Sequence, residues 1–376
     1  MTVSSAATIM NHFQSLPDPR VDRTKEYRLT DLVTSAIGAV IAGADSWVAI
    51  ERFGHAKAAW LQTFLALPTG IPSHDPFGRV VAALDPVAFA TCFQNWIVRV
   101  AQATAGRVVA LDGKTLRQSF DTASATAAIH LVSAWASQQH LLLGQVKTEA
   151  TSNEITAMPQ LLKLLELQGC IVTMEAMGCQ PDLAQQIISQ GADSVLALKG
   201  NHPTAFEEVS AFLDTAVAAG FGRHPDDSPE TIDGDHGRIE VRRVWLTSAI
   251  DWFADRDPWS GVRSVGLVEA QRTVGEHPSL ERRYYLRSVP GDDAQQLSTA
   301  IRSHWGIETS LHWVLDVAFR EDYCRVRQGY ADENFATLRR LALHLLKQDK
   351  TAKVGFQTKR LMSGWDEGYL LKVLNI

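Results

Sequence analysis

The 376-residue sequence predicts a mixed α/β (α+β) chain in which a helical N-terminal domain precedes a mixed sheet, and three observations carry that expectation. Residues 8 to about 100 read as helices. From Arg107 the apolar period changes, and short runs bounded by turn residues follow in the order β-β-β-α-β-α-β. After a polar stretch, further strand-like runs lead to a helix on which His304, Glu308, His312 and Asp316 recur every four residues.

Composition narrows the function classes. With 45% hydrophobic and 21% charged residues the chain is ordinary globular material rather than disordered. No apolar run approaches the length of a membrane helix, and Met1 to Phe13 lacks the basic-then-apolar order of a signal peptide, so a cytoplasmic protein with no membrane contact is expected. Cys92, Cys170, Cys179 and Cys324 form no C-x-x-C pair and lie among apolar residues, as reduced, buried thiols do. A net charge of −6 and a pI near 6.1 argue against a simple nucleic-acid coat. Between Val317 and Arg360, however, ten Lys and Arg stand against five acids, which predicts a local basic surface.

Taken in order, Leu29 to Ala42 is an apolar helix with Thr30 or Asp31 as cap, and Trp47 to Leu65 is a second. Gly70 to Pro76 breaks the pattern, and Asp85-Pro86 opens a helix to about Ala103. Val108 to Leu111 is a buried strand running into Asp112-Gly113-Lys114, and Ile129 to Ala136 and His140 to Val146 continue an antiparallel meander. Ser152-Asn153-Glu154 caps a helix from Ile155 to Leu167. Cys170 to Met174 is a strand ending in Glu175, Pro181 to Gln190 a helix, Ser194 to Leu198 a strand ending in Lys199-Gly200-Asn201, and Pro203 to Ala218 another helix. Three antiparallel strands followed by parallel additions make a ribonuclease-H-like mixed sheet. Residues 219 to 240 read as a polar surface loop, and Ile239 to Thr247, Val262 to Val274 and Arg282 to Val289 as strands of a β-rich insertion, about 219–293. The expected domains are therefore 1–104, helical; 105–350, catalytic; and 351–376, a C-terminal tail.

In such a sheet the first and fourth strands are neighbours, so Asp112 and Glu175 can converge, with Glu308 arriving from the later helix. Hard oxygen ligands on separate elements suit Mg²⁺ or Mn²⁺, and two such ions about 3.5–4 Å apart support phosphodiester chemistry. An acid at a strand end is more often a solvated residue or a cap, so only the triple on this strand order carries weight. Lys114, Arg117, Lys199, Asn201 and Arg302 cluster at strand and helix ends, where phosphate contact and plain solvation are equally expected. Trp305 can stack on a base or sit in the core. His304 and His312 are placed to tune Glu308, to touch DNA or to pack.

Six motifs carry a resemblance: Ala110 to Arg117, Ser152 to Ile155, Glu175 to Gln180, Leu198 to Asn201, His236 to Glu240 with Arg238, and His304 to Glu308, extending to Leu311–Val317 and to Gly70–Asp75. Together they resemble the DDE transposases of the ISAs-type insertion-sequence family, which includes the H-repeat-associated proteins, over essentially the whole chain. The resemblance implies that Asp112, Glu175 and Glu308 are the three catalytic and metal-ligating acids for two Mg²⁺ or Mn²⁺ ions. The candidate DNA contacts are Lys114, Arg117, Lys199, Asn201 and Arg302, from their places at strand and helix ends, Trp305 and His312 beside Glu308, and Arg238 in the His236–Glu240 motif. The implied partners are the element's terminal inverted repeats and target DNA, with a homodimer synapsing two ends and the protein nucleoid-associated when bound. Where the family has Asp, this chain has Glu175, about 1.5 Å longer; Thr151, Thr309 and Pro76 also differ from the family's Lys, Asn and Thr.

Two other readings stand beside this one. A catalytically impaired or domesticated relative that binds DNA without cutting starts from the extra methylene of Glu175. A zinc hydrolase on His304, Glu308 and His312 lacks the closely paired histidines of H-E-x-x-H.

Overall fold

The computed structural model describes residues 9–100, 107–120, 127–148, 153–221, 229–235, 238–259, 261–275 and 277–374. Thr151, Ser152, His236 and Gly237 lie outside those residues. Six helices come first: α1 (Ile9–Phe13), α2 (Leu29–Ile41), α3 (Trp47–Ala56), α4 (Ala58–Leu61), α5 (His74–Ala83) and α6 (Pro86–Val100). Then follow β1 (Val108–Thr115), β2 (His130–Ala136), β3 (Leu141–Lys147), α7 (Glu154–Lys163), β4 (Ile171–Met174), α8 (Pro181–Ser189), β5 (Asp193–Leu198) and α9 (Pro203–Ala218). Four strands continue, β6 (Glu230–Asp235), β7 (Arg238–Thr247), β8 (Ser264–Val274) and β9 (His277–Arg287). The last helices are α10 (Ala294–His304), α11 (Trp313–Phe319), α12 (Ala331–Gln348), α13 (Phe356–Trp365) and α14 (Glu367–Leu374).

The nine strands form one sheet in the order β3-β2-β1-β4-β5-β9-β8-β7-β6. The β1–β2 and β2–β3 pairs are antiparallel, and the β1–β4 and β4–β5 pairs parallel, which is the ribonuclease-H-like core the element order predicts. The inserted strands do not form a separate lobe. β9 pairs antiparallel with β5, and β8, β7 and β6 extend the same sheet beyond it. Part of the 219–240 segment expected as loop is thus the edge strand β6, whose alternation is masked by its Asp, Gly and Glu content.

Period-two alternation decides which face each strand residue joins. Val109, Leu111, Val172 and Leu196 pack with α7, α8 and α9, whereas Val108, Ile171 and Val195 pack with α10, and Ala110 with the N-terminal helices and α11 and α12. Asp112, one step beyond Leu111, shares the face of Val108 and Ala110. It therefore looks toward the helices that follow the insertion.

Two expectations change in the helical part. Asp31 does not cap α2; Arg28 holds that position, and Asp31 is buried, its carboxylate accepting from the Leu67 N–H at 3.4 Å. Residues of the 351–376 tail form α13 and α14, and α14 shares one core with α2 and α12. Of the ten Lys and Arg between Val317 and Arg360, four are buried: Arg339, Arg340, Lys359 and Arg360. Arg340 and Glu321 form a fully buried pair at 2.6 Å, Arg360 donates to the carbonyls of Ala318 and Val40, and Lys359 donates to that of Leu346. All four cysteines are free and buried, and no single described helix is long and apolar enough to cross a membrane.

Candidate active site

Asp112 sits inside β1 rather than at its end. Its strand partner is Ser133 on β2, while the last β1–β4 pair is Leu111 with Met174, so β1 runs on past the point where β4 stops. That mismatch opens a notch on the β4 side of Asp112. Burial pushes its carboxyl up to about 6, opposed by the nearby His312 ring and the Gly113 N–H.

Glu308 and His312 enter from the C-terminal side of α10, where the helix loosens into a π turn, Glu308–His312, with the Trp313 N–H donating to the Glu308 carbonyl. The wider turn takes the four-residue stripe out of line. His304 is buried and its Nδ1 lies 2.9 Å from the Thr173 hydroxyl, whereas Asp316, a turn further on, pairs with Lys114. Between them, His312 Nδ1 lies 2.9 Å from Glu308 Oε2 and 3.6 Å from Asp112 Oδ2, while its Nε2 is buried without a partner. The His312 contact holds the Glu308 carboxyl below its usual range. Ligand atoms of Asp112, Glu308 and His312 all lie within 4.8 Å of one another.

Glu175 follows β4 directly and precedes a short 3₁₀ turn, Ala176–Gly178. Its two oxygens face different partners, Lys199 at 3.5 Å and His304 Nε2 at 3.9 Å. Asp112 and Glu175 therefore stand at the ends of adjacent parallel pairings, as expected, but Glu175 is outside the tight Asp112–Glu308–His312 group. Desolvation lowers the His304 pKa, against the opposing pull of the Glu175 carboxylate.

The candidate DNA contacts separate by what already holds them. Lys114 is buried against Asp316, with Asp322 at 3.8 Å, and Asn201 donates to the Ala176 carbonyl at 2.9 Å, so both brace the loops around the notch. Arg117 is 82% exposed with Asp322 at 3.4 Å, and Lys199 is half-exposed beside Glu175. Arg302 pairs with Asp233 at 3.0 Å, a link made possible by the unexpected strand β6. Trp305 is exposed rather than core, and the Arg283 guanidinium lies 5.0 Å from its ring centre. His312 is buried behind the carboxylates. Arg238 begins β7, and its side chain is outside the described set.

One group was not legible as part of the site. Glu154, read only as a helix-cap neighbour, contacts His130 at 2.8 Å, and the other ring nitrogen of His130 lies 2.7 Å from the Thr115 hydroxyl. Both His130 and Glu154 close over Gly113, where a Cβ would overlap the Glu154 carboxylate and the His130 ring. This explains the glycine beside Asp112, and Glu154 adds to the negative field that raises Asp112. The spacing between residues 113 and 154 offers no periodic signal for this.

The donor set fits a divalent cation that prefers oxygen. Two carboxylates converge from separate elements, and burial, with the neighbouring Glu154 and Glu308 charges, holds Asp112 above its ordinary range.

Residues 10–97 match the family described as "DDE_Tnp_1-associated", and residues 103–345 the family described as "Transposase DDE domain". The chain is 39% identical over 374 residues to a protein of Escherichia coli O157:H7 named "Putative transposase YncI", covering 98% of this chain and 95% of that one. It is 37% identical over 375 residues to "H repeat-associated putative transposase YhhI" of Escherichia coli K12, covering 97% of each. Among solved structures, a piggyBac transposase synaptic complex with hairpin DNA aligns with a TM-score of 0.45 at 12% identity, over 98% of this chain and 77% of that chain.

Proposed function

This chain belongs to the transposase family defined by the DDE domain, and from that premise we propose that it cuts DNA at the ends of an insertion sequence and joins them to target DNA in a metal-dependent reaction. The observation that carries the proposal is the convergence of Asp112 and Glu308, across His312, within 4.8 Å. Asp112 and Glu308 are the residues that would hold Mg²⁺ or Mn²⁺, and Glu175 on the adjoining strand end is the acid that would serve a second ion. When bound, the ions supply activation of a water or 3′-hydroxyl and stabilisation of the leaving oxygen. The chain's own groups do the rest. His312 fixes the Glu308 carboxylate toward Asp112, Gly113 admits the His130–Glu154 pair behind it, and Lys114 braces the site through Asp316 and Asp322. Arg117, Lys199 and Trp305 are exposed at the rim, where they can position phosphates and an unstacked base. The partners are the terminal inverted repeats and target DNA, with two copies of the chain synapsing two ends.

One observation favours a second reading, a relative that binds DNA without cutting. The Glu175 carboxylate is engaged by Lys199 and His304 rather than by the other two acids. A Mn²⁺- or Mg²⁺-dependent cleavage assay on duplexes carrying the flanking inverted repeats separates the two. Cleavage by the native protein that is lost in Asp112→Ala and in Glu308→Ala, with DNA binding retained, supports the first; binding without any cleavage by the native protein supports the second.

A further inference from the structure

On the other side of the Glu308 turn lies a cavity of about 730 Å³. Its walls come chiefly from three places: His140 and Leu141 where β3 begins, Thr309 and Ser310 on the π turn, and the end of α12 with the connection to α13, carrying Lys347, Lys350 and Lys353. The charge there is one-sided. Asp349, the sole acid among the described lining residues, is already saturated by Thr351, the Tyr369 hydroxyl at 2.9 Å and Lys372 at 3.3 Å. Lys359 donates to the Leu346 and Asp349 carbonyls and lies 3.6 Å from the Asp349 carboxylate. Lys347 lies over the Trp135 ring at 4.0 Å and donates to the Ser310 carbonyl at 2.6 Å, so it binds the cavity wall to the turn that carries Glu308. Lys350 and Lys353 are exposed and have no carboxylate partner among the described residues.

We propose that this cavity is a second DNA-contact site, in which Lys350 and Lys353 bind backbone phosphates of a strand that passes behind the Glu308 turn. The inference rests on the transposase reading above. Four further facts support it. Thr309 and Ser310 follow Glu308 directly, and a helix is only about 10–12 Å across, so a phosphate here lies within a few nucleotides of one held at the carboxylates. Thr309 also lines the two neighbouring cavities, one of them edged by Arg242, Arg272, Arg283 and Arg302 together with Asp233, Glu240 and Glu281, so the three cavities adjoin. Burial lowers the His140 pKa, and the fields of Lys347 and Lys350 add to it. The apolar wall of Val314, Val354 and Phe356 gives room for a sugar or base beside the phosphate.

The test is duplex binding by fluorescence anisotropy across a salt series, with the full chain as native protein, Lys350→Gln/Lys353→Gln, and Lys163→Gln as a control at the far end of α7. Loss of two phosphate contacts flattens the log K against log [salt] slope by about 1.8 and weakens binding at 0.1 M salt by about 60-fold. Lys163→Gln is expected to follow the native curve. Native binding with an unchanged slope in the double variant overturns the proposal and leaves the transposase reading standing. If the native protein binds no duplex at all, both fall.

Discussion

Replacing Asp112 by Asn should make the metal-free protein more stable at neutral pH while ending its chemistry. Burial lifts the Asp112 carboxyl from 3.8 to about 6. At about 1.4 kcal/mol per unit, keeping it ionised costs the fold at most about 3 kcal/mol. Below pH 3.8 both folded and unfolded chains hold the proton, and the cost is absent. As pH rises toward about 6 the unfolded chain gives up a proton that the folded chain retains, so this contribution to stability is progressively lost, and above that pH the loss is complete. The side-chain amide of the Asp112→Asn variant has no proton to lose, so the difference between variant and native protein should grow over that window and then level. With an unfolding entropy of about 2.1 cal/mol/K per residue, 3 kcal/mol corresponds to about 4 °C in Tm for a chain of this length. Thermal unfolding in EDTA at about pH 4 and about pH 7.5 reads it directly. Adding Mg²⁺ or Mn²⁺ at the higher pH should raise the native Tm and leave that of Asp112→Asn nearly unmoved. A variant whose Tm follows the native protein at both pH values would refute the picture of Asp112 as a buried carboxylate awaiting a cation.

Glu175→Asp withdraws the carboxylate from Lys199 and His304 and shortens its arm by one methylene; strand transfer should rise by up to about 10²-fold, and an unchanged or lower yield in a gel assay would show that the methylene does not limit the site. Gly113→Ala should break the His130–Glu154 contact and cost about 1–3 kcal/mol in urea unfolding, together with a loss of cleavage because Asp112 is next in the strand. Native stability in that variant would mean the pair simply moves aside.

The sequence by itself determined the order of the first five strands, because runs such as Val108–Leu111 and Ser194–Leu198 are apolar on both faces and the helices between them carry clear starts and stops, whereas the edge strand β6 and the joining of β9 to β5 appear only in the fold. It also marked Asp112 and Glu308, since their motifs survive without any contact being known. Tertiary structure alone decided the rest. Period-two alternation put Asp112 on the face of α10, but only the mismatch between β1 and β4 opened the notch around it. The regular stripe from His304 to Asp316 assumed an unbroken α-helix, and the π turn at Glu308 sorted its members by destination: His304 to Thr173, His312 to Glu308 and Asp112, Asp316 to Lys114. Charge counts mark where Lys and Arg occur but not which of them are spent. Arg340 and Arg360 vanish into the core, while Lys350 and Lys353 keep no carboxylate partner among the described residues, because partners far along the chain, such as the Val40 carbonyl, are visible only once the chain has folded.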